Sequence, residues 1–405
     1  MQQFNNEALK NLMNSLAQNN ATENNAGSTD LGAAVNLPAV NSQRGQNFSN
    51  PALKELIRMA ISKGASDIHL SSGCYPALRI HGDLSYIDSS PVFMKEDLEK
   101  FIREILTDRQ HERFTNTGDL DFAFTFGTQR FRGSAYREMN GVSLTFRLVP
   151  TDIKTLDDLG LPPILKTVSQ KHRGLFLVTG PTGHGKSSTL AAIVSEVNRK
   201  RKTHIVTIED PIEYIHTPVL SVIHQREVGN DTETFASGIR HVLRQDPDVI
   251  LIGEMRDLET IGAAITSAET GHLVFGTLHT QDASQSIERI VDVFPPHQQN
   301  QIRLQLAYTL IGICSQQLIP RDDIKGRVCA TEIMFTTPAI RASIREGKIS
   351  SIRNAMLTGS SLGMHTMEQD LARWVKEGKI SRTTAKSFAY DQTDMERLLS
   401  SDSPI

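Results

Sequence analysis

Apolar positions along this chain follow three regimes. Over residues 1–50 they are scattered among Asn, Gln, Ser and Ala. There Phe4, Leu9, Leu12, Met13 and Leu16 are spaced for one short amphipathic helix. A segment this polar buries too little surface to offset chain entropy, so a disordered leader is expected. From 51 to 148 the pattern changes to that of a small α+β domain. Leu53, Leu56, Ile57, Ala60 and Ile61 recur at helical spacing, and residues 94–106 read as a second helix. Residues 67–70, 120–126, 130–137 and 142–148 alternate as strands, with turns at Gly127 and Asn140-Gly141. Asn-Gly between two alternating runs is a strong hairpin signal. Three prolines and a glycine over 149–163 predict a linker.

The third regime starts near residue 164. Apolar runs at 175–179, 204–208, 219–223, 249–252 and 273–277 are separated by helical patterns. Such alternation over 164–330 predicts an α/β domain, a mostly parallel sheet with helices on both faces. Residues 331–395 read as mainly helical, with turns at Pro338, Gly347 and Gly359, and 396–405 as a tail.

Composition narrows the function classes. The net charge is −3 over 405 residues, and no basic, aromatic-interleaved stretch occurs, so a nucleic-acid motor is disfavoured. No apolar run approaches the ~20 residues that span a bilayer. The N-terminus lacks a basic segment followed by an apolar one, so no signal peptide is expected and the cytoplasm is the natural compartment. The three cysteines, Cys74, Cys314 and Cys329, form no C-x-x-C pair, which argues against a disulfide framework or a four-cysteine zinc site.

The chemistry begins at Gly180-Pro181-Thr182-Gly183-His184-Gly185-Lys186-Ser187, a complete G-x-x-x-x-G-K-[ST] phosphate loop. Glycines let backbone N–H groups turn toward phosphates, Lys186 reaches the β- and γ-phosphates, and the Ser187 hydroxyl suits Mg²⁺. The apolar run before the loop reads as a buried strand. Ser188 to Val197 reads as the helix whose N-terminus faces the anion. Such sites need a carboxylate at the end of a neighbouring strand, and Gly253-Glu254 after Val249–Ile252 supplies one, with Gly253 expected to let the nucleotide approach. Hydrolysis also needs a group that orients water. The segment 205–213 offers Glu209, Asp210 and Glu213, and spacing does not choose among them. His272 and His279 stand at opposite ends of the run 273–277, too far apart to share a metal ion. Each is a candidate for sensing the γ-phosphate or orienting polar groups near it. Arg132 and Arg147 lie on the predicted N-terminal meander, where they can project from adjacent strands. An arginine supplied from another domain or subunit stabilises transferring phosphate charge.

Together the phosphate loop, the acidic segment 205–213, the glutamate box 249–257 and the histidine box 270–280 resemble the secretion ATPase superfamily of bacterial type II and type IV systems. Within it they resemble the pilus-retraction branch. The likeness spans residue 51 to about 385 and includes Ser66–Gly73 and the Ala339–Glu346 segment, which is similar to that branch's C-terminal retraction box. His184 and Ala342-Ser343 depart from the usual residues. The resemblance implies a PAS-like N-terminal domain, a RecA-like ATPase domain with a helical C-terminal region, and a homohexameric ring. It makes Glu213 the catalytic glutamate, Glu254 and Ser187 the magnesium side, Gly180 to Ser188 the nucleotide-binding segment, and Arg132 and Arg147 the arginine fingers, with Arg244 a weaker candidate. ATP and Mg²⁺ are the implied ligands, and an inner-membrane pilus platform protein and a paralogous retraction ATPase the implied partners. The implied work is pilus retraction in twitching motility, at the cytoplasmic face of the inner membrane. The alternatives are an accessory retraction paralogue, a secretion-system traffic ATPase, or a non-hydrolytic assembly protein gated by nucleotide.

Overall fold

A computed structural model describes residues 48–400 apart from 81, 128 and 151. The leader helix over residues 4–16 and the end of the tail lie outside them. The first described elements are α1 (Pro51–Ser62), β1 (Asp67–Ser71), β2 (Ala77–Ile80), β3 (Asp83–Tyr86), α2 (Lys95–Ile105), α3 (Asp108–Thr117), β4 (Asp119–Phe126), β5 (Gln129–Glu138) and β6 (Gly141–Leu148). The six strands form one antiparallel sheet in the order β3-β2-β1-β6-β5-β4. α1 starts where the Asn50 side chain accepts the amides of Ala52 and Leu53 and Pro51 takes the first helical position. Its apolar stripe joins Phe101, Phe131 and Phe146 in the core. Phe48 is buried there too, stacked on Phe126 at 5.7 Å, so the packed chain begins inside the segment read as leader. Two features carry weak apolar signals. α3 buries only Phe114, although its Thr107/Gln110 capping box is visible in the sequence. β3 is exposed along its whole length.

The second sheet contains β7 (Gly174–Thr179), β8 (His204–Glu209), β9 (Val222–Glu227), β10 (Val249–Ile252), β11 (Leu273–Leu278), β12 (Leu310–Pro320) and β13 (Arg327–Phe335), in the order β13-β12-β7-β11-β10-β8-β9. All neighbours are parallel except β12 and β13. Helices α4 (Lys186–Lys200), α5 (Phe235–Val242), α6 (Leu258–Glu269), α7 (Ala283–Asp292) and α8 (Pro296–Thr309) complete the domain. Strand residues alternate between two cores. Leu175, Leu177, Ile250, Ile252 and Val274 pack with α5 to α8, whereas Phe176, Val178, Val249, Leu251 and Phe275 pack with α4. A strand buried on both sides reads as an unbroken apolar run, which is why β7, β10 and β11 were visible in the sequence. The strand read at 219–223 instead occupies 222–227: Val222 and Ile223 open it, and its remaining positions are polar. Residues 149–163 are not a free linker, because Leu156 and Leu161 are buried beside Leu165 and Val168 against β7.

Residues 331–335 are not helical but complete β13, the partner of β12 in a hairpin that adds two strands at the sheet edge. Beyond it come α9 (Pro338–Glu346), α10 (Ile352–Thr358), α11 (Met367–Lys376), α12 (Arg382–Phe388) and α13 (Gln392–Ser400). Met367, Leu371 and Trp374 pack on Ile319, Val328 and Ala330 of the hairpin. Among the described residues no helix is long and apolar enough to cross a membrane.

Glu332 of β13 is fully buried, and burial pushes its carboxyl up to about 7, although its Oε1 accepts the Ala283 amide at the start of α7. An acid whose folded value is raised contributes its full stability below the unfolded value and loses it as pH rises through the folded one. Glu332→Gln keeps the acceptor and removes the charge. Its stability advantage over the parent is expected to grow from near zero at about pH 4.5 to about 3 kcal/mol at about pH 8.5. Urea unfolding at the two pH values checks this, and an advantage that does not change with pH refutes it.

Candidate active site

Parallel register puts the carboxyl ends of β7, β8, β10 and β11 on one edge of the sheet. The phosphate loop leaves β7 there and enters α4 at Lys186. Gly180 has φ +138°, and a Cβ on it would lie 2.3 Å from the Gln316 carbonyl oxygen, so only glycine fits between the loop and β12. Gln316 holds the loop from that side. Its Nε2 donates to the His184 carbonyl at 2.6 Å and its Oε1 accepts from Thr189 at 2.8 Å. His184 Nδ1 accepts the Leu318 amide at 3.0 Å. Burial, then the charges of Lys186 and Arg327, hold the His184 imidazole below its usual value, which favours this neutral, accepting form.

Lys186 is buried, and its Nζ donates to the carbonyls of Gly180 at 2.8 Å and Pro181 at 3.0 Å. The Nδ1 of His279 lies 3.4 Å away. An ammonium has donors only, so Nδ1 accepts and the ring proton sits on Nε2. That nitrogen faces Glu254 Oε1 at 2.6 Å. Lys186, His279 and Glu254 therefore form one hydrogen-bonded chain from β7 through β11 to β10, and Thr182 Oγ1 also reaches His279 at 3.3 Å. Burial raises the Glu254 carboxyl, but Arg256, which is hydrogen-bonded to it, and His279 outweigh burial and leave it below the usual range. Burial likewise depresses Lys186, opposed by Glu254 and Glu213.

The acidic segment closes the edge at β8. Glu209 is half-buried, and desolvation raises its carboxyl despite hydrogen bonds from Thr207 and Gln225. Glu213 is partly exposed, with Arg132 Nη1 at 3.5 Å from its Oε1. Tyr214 Oη and Ser188 Oγ are 2.6 Å apart and line a cavity of about 410 Å³ beside Gly185, Thr189 and Arg327.

Not every expected residue reaches this edge. His272 precedes β11, where its carbonyl accepts the Gly174 amide, at the start of β7. It is roughly 20 Å along the strand from His279, and its Nδ1 lies 2.9 Å from the Ser267 carbonyl. Within the chain, then, His272 is not at the phosphate loop, because a strand sends its two ends to opposite edges. Arg244 follows α5 on that same far edge, before β10. Gly253 makes room for β8 rather than for a nucleotide, since a Cβ there would lie 3.2 Å from the Glu209 Cα. Arg132 and Arg147 are directly opposite on β5 and β6. Arg147 Nε donates to Asp67 at 2.7 Å, and Arg132 faces Glu213. Sequence reasoning missed Gln316 and Arg130. Arg130 stands two residues before Arg132 on the same strand face, and period two was the signal that could have found it.

The family model for type II/IV secretion system proteins matches residues 42–346. The type IV pilus retraction ATPase PilT of Pseudomonas aeruginosa is 46% identical over 338 residues, covering 83% of this chain and 98% of that protein. The type IV pilus ATPase PilU of the same organism is 36% identical over 347 residues, covering 85% and 91%. A crystal structure of the pilus retraction motor PilT with bound ADP superposes with a TM-score of 0.80 at 42% identity, over 85% of this chain and 99% of that one.

Proposed function

The chain belongs to the type II/IV secretion system protein family, and on that premise we propose that it is the ATP-hydrolysing motor of type IV pilus retraction. The observation that carries the reading is the Lys186–His279–Glu254 chain at the phosphate-loop edge, with Glu213 in the same field. Loop amides and Lys186 bind the phosphates. The cavity lined by Ser188, Tyr214 and Arg327 receives the nucleoside. Glu213 orients the attacking water. His279 reports phosphate occupancy at Lys186 to Glu254, because a phosphate oxygen competes with it for the ammonium donors.

Mg²⁺ fits the Ser187 hydroxyl and the Glu254 carboxylate, an oxygen-only donor pair. Glu254 Oε1 is held by Arg256 and His279, while Oε2 and the Ser187 hydroxyl have no partner among the described residues. When bound, the ion neutralises charge on the β- and γ-phosphates. Arg132 and Arg147 belong to the face of the N-terminal sheet that supplies arginines to phosphate, from the same or a neighbouring subunit of a homohexamer. The segment Ala339–Glu346, which buries Ile340 and Ile344 and exposes Ala339, Arg345 and Glu346, transmits motion to an inner-membrane platform protein at its cytoplasmic face. His272, on the far edge, acts outside its own chain's phosphate site.

Deleting the gene in a piliated host is expected to leave surface pili in excess and to stop twitching, and the purified chain is expected to hydrolyse ATP only with Mg²⁺. Loss of pili on deletion would mark an assembly motor and overturn the reading.

A further inference from the structure

Arg130 and Arg132 point from the same face of β5 toward the ATPase core. Arg130 Nη2 donates to Glu227 Oε2 at 2.7 Å. Glu227 ends β9 and is 3% exposed. The same Oε2 accepts the Ile212 amide at 3.3 Å, while Oε1 accepts from Asn230 Nδ2. Asn230 in turn accepts from Gln110 of α3 at 3.1 Å. One buried carboxylate thus joins the N-terminal sheet to the backbone one residue before Glu213. We infer that Glu227 is a positioning residue for Glu213, and that Arg130 makes its setting depend on the docking of the N-terminal sheet against the ATPase core. This inference rests on the water-orienting role of Glu213 proposed above.

The physical reason is the cost of a buried charge without its partner. While the sheet is docked, Arg130 balances Glu227, and the carboxylate holds the Ile212 amide in place. If the sheet moves away, the carboxylate loses its cation and turns toward other donors or water, which frees the Ile212 amide and lets Glu213 shift. A displacement of about 1 Å at such a group costs up to about a hundredfold in rate. Arg132 touches Glu213 directly, but at 3.5 Å between partly exposed side chains, a geometry that adds little restraint. Arg130 is therefore the stiffer link, and it lets domain motion gate hydrolysis without altering the phosphate loop.

The test is steady-state Mg-ATP hydrolysis by the full chain and its Arg130→Gln, Arg130→Lys, Glu227→Gln and Arg130→Gln/Glu227→Gln variants. Each single neutral variant is expected to lower kcat roughly tenfold with KM within about twofold, the double variant to be no worse than the weaker single, and Arg130→Lys to recover a third or more of the loss. Parent-level kcat in Arg130→Gln, or additive losses accompanied by a matching rise in KM, overturns the coupling. Should Glu227→Gln fail to fold, the Gln and Lys variants of Arg130 decide alone. An inert parent chain would count instead against the ATPase reading beneath it.

Discussion

Replacing Lys186 by alanine is expected to cut ATP turnover to below about 1% of the parent and to weaken nucleotide binding at least tenfold. The ammonium is buried, and it is held by two carbonyls of its own loop and by His279. Those contacts exchange readily for phosphate oxygens, which form stronger charge-assisted bonds. Alanine removes three donors at once. It also removes the cation that balances Glu254 and Glu213 at this edge, so two carboxylates would repel an incoming triphosphate. The fold is expected to survive, because residue 186 opens α4 and alanine is the best helix former. Turnover assays, titration with a fluescent ADP analogue and thermal unfolding, run in parallel, check this. Turnover above about a tenth of the parent with the fold intact would remove Lys186 from the phosphate site.

Why Lys186 was legible in the sequence and its supports were not is a matter of chain distance. Loop, lysine and helix are contiguous, and β7, β10 and β11 announce themselves as buried apolar runs. Gln316 lies 132 residues from the His184 carbonyl that it holds, and only the fold brings β12 beside β7. Its one local sign is a Gln-Gln pair inside the apolar run of β12, where buried amides require partners. Glu254 followed from the need for a carboxylate at a neighbouring strand end, but its bond to His279 did not. The two histidines show the same limit. Their separation along β11 could be read from the sequence, but which of them shares an edge with the phosphate loop was settled by parallel pairing with β7. Arg132 and Arg147 had strand signals, and their partners, Glu213 and Asp67, follow from sheet order and domain docking.

The three carboxylates of the acidic segment, equivalent by spacing, are separated by their surroundings. Glu209 is half-buried, accepts from Thr207 at 2.6 Å and from Gln225 at 3.3 Å, and meets the Glu213 amide at 3.5 Å. These bonds make it a builder of the turn, and burial raises its carboxyl toward the protonated form, which glutamine mimics. Asp210 enters through its attraction to Arg256. Glu213 is partly exposed, less so than Asp210, and it is the member within reach of Arg132 and close enough to Lys186 to oppose the lysine's depressed pKa. A group that orients water needs both access to water and proximity to the γ-phosphate, and Glu213 combines them. Glu213→Gln is therefore expected to lower kcat by about a hundredfold or more with nucleotide affinity within a few fold, the range for losing a positioned base. Glu209→Gln and Asp210→Asn are each expected to cost less than about tenfold. The contrast between the variants carries the assignment, because a hydrogen-bonding turn would suffer most from Glu209, whereas a water-orienting carboxylate suffers most from Glu213. Single-turnover hydrolysis of ATP by the three variants reads it directly, and a larger loss in Glu209→Gln than in Glu213→Gln would move the catalytic role to Glu209.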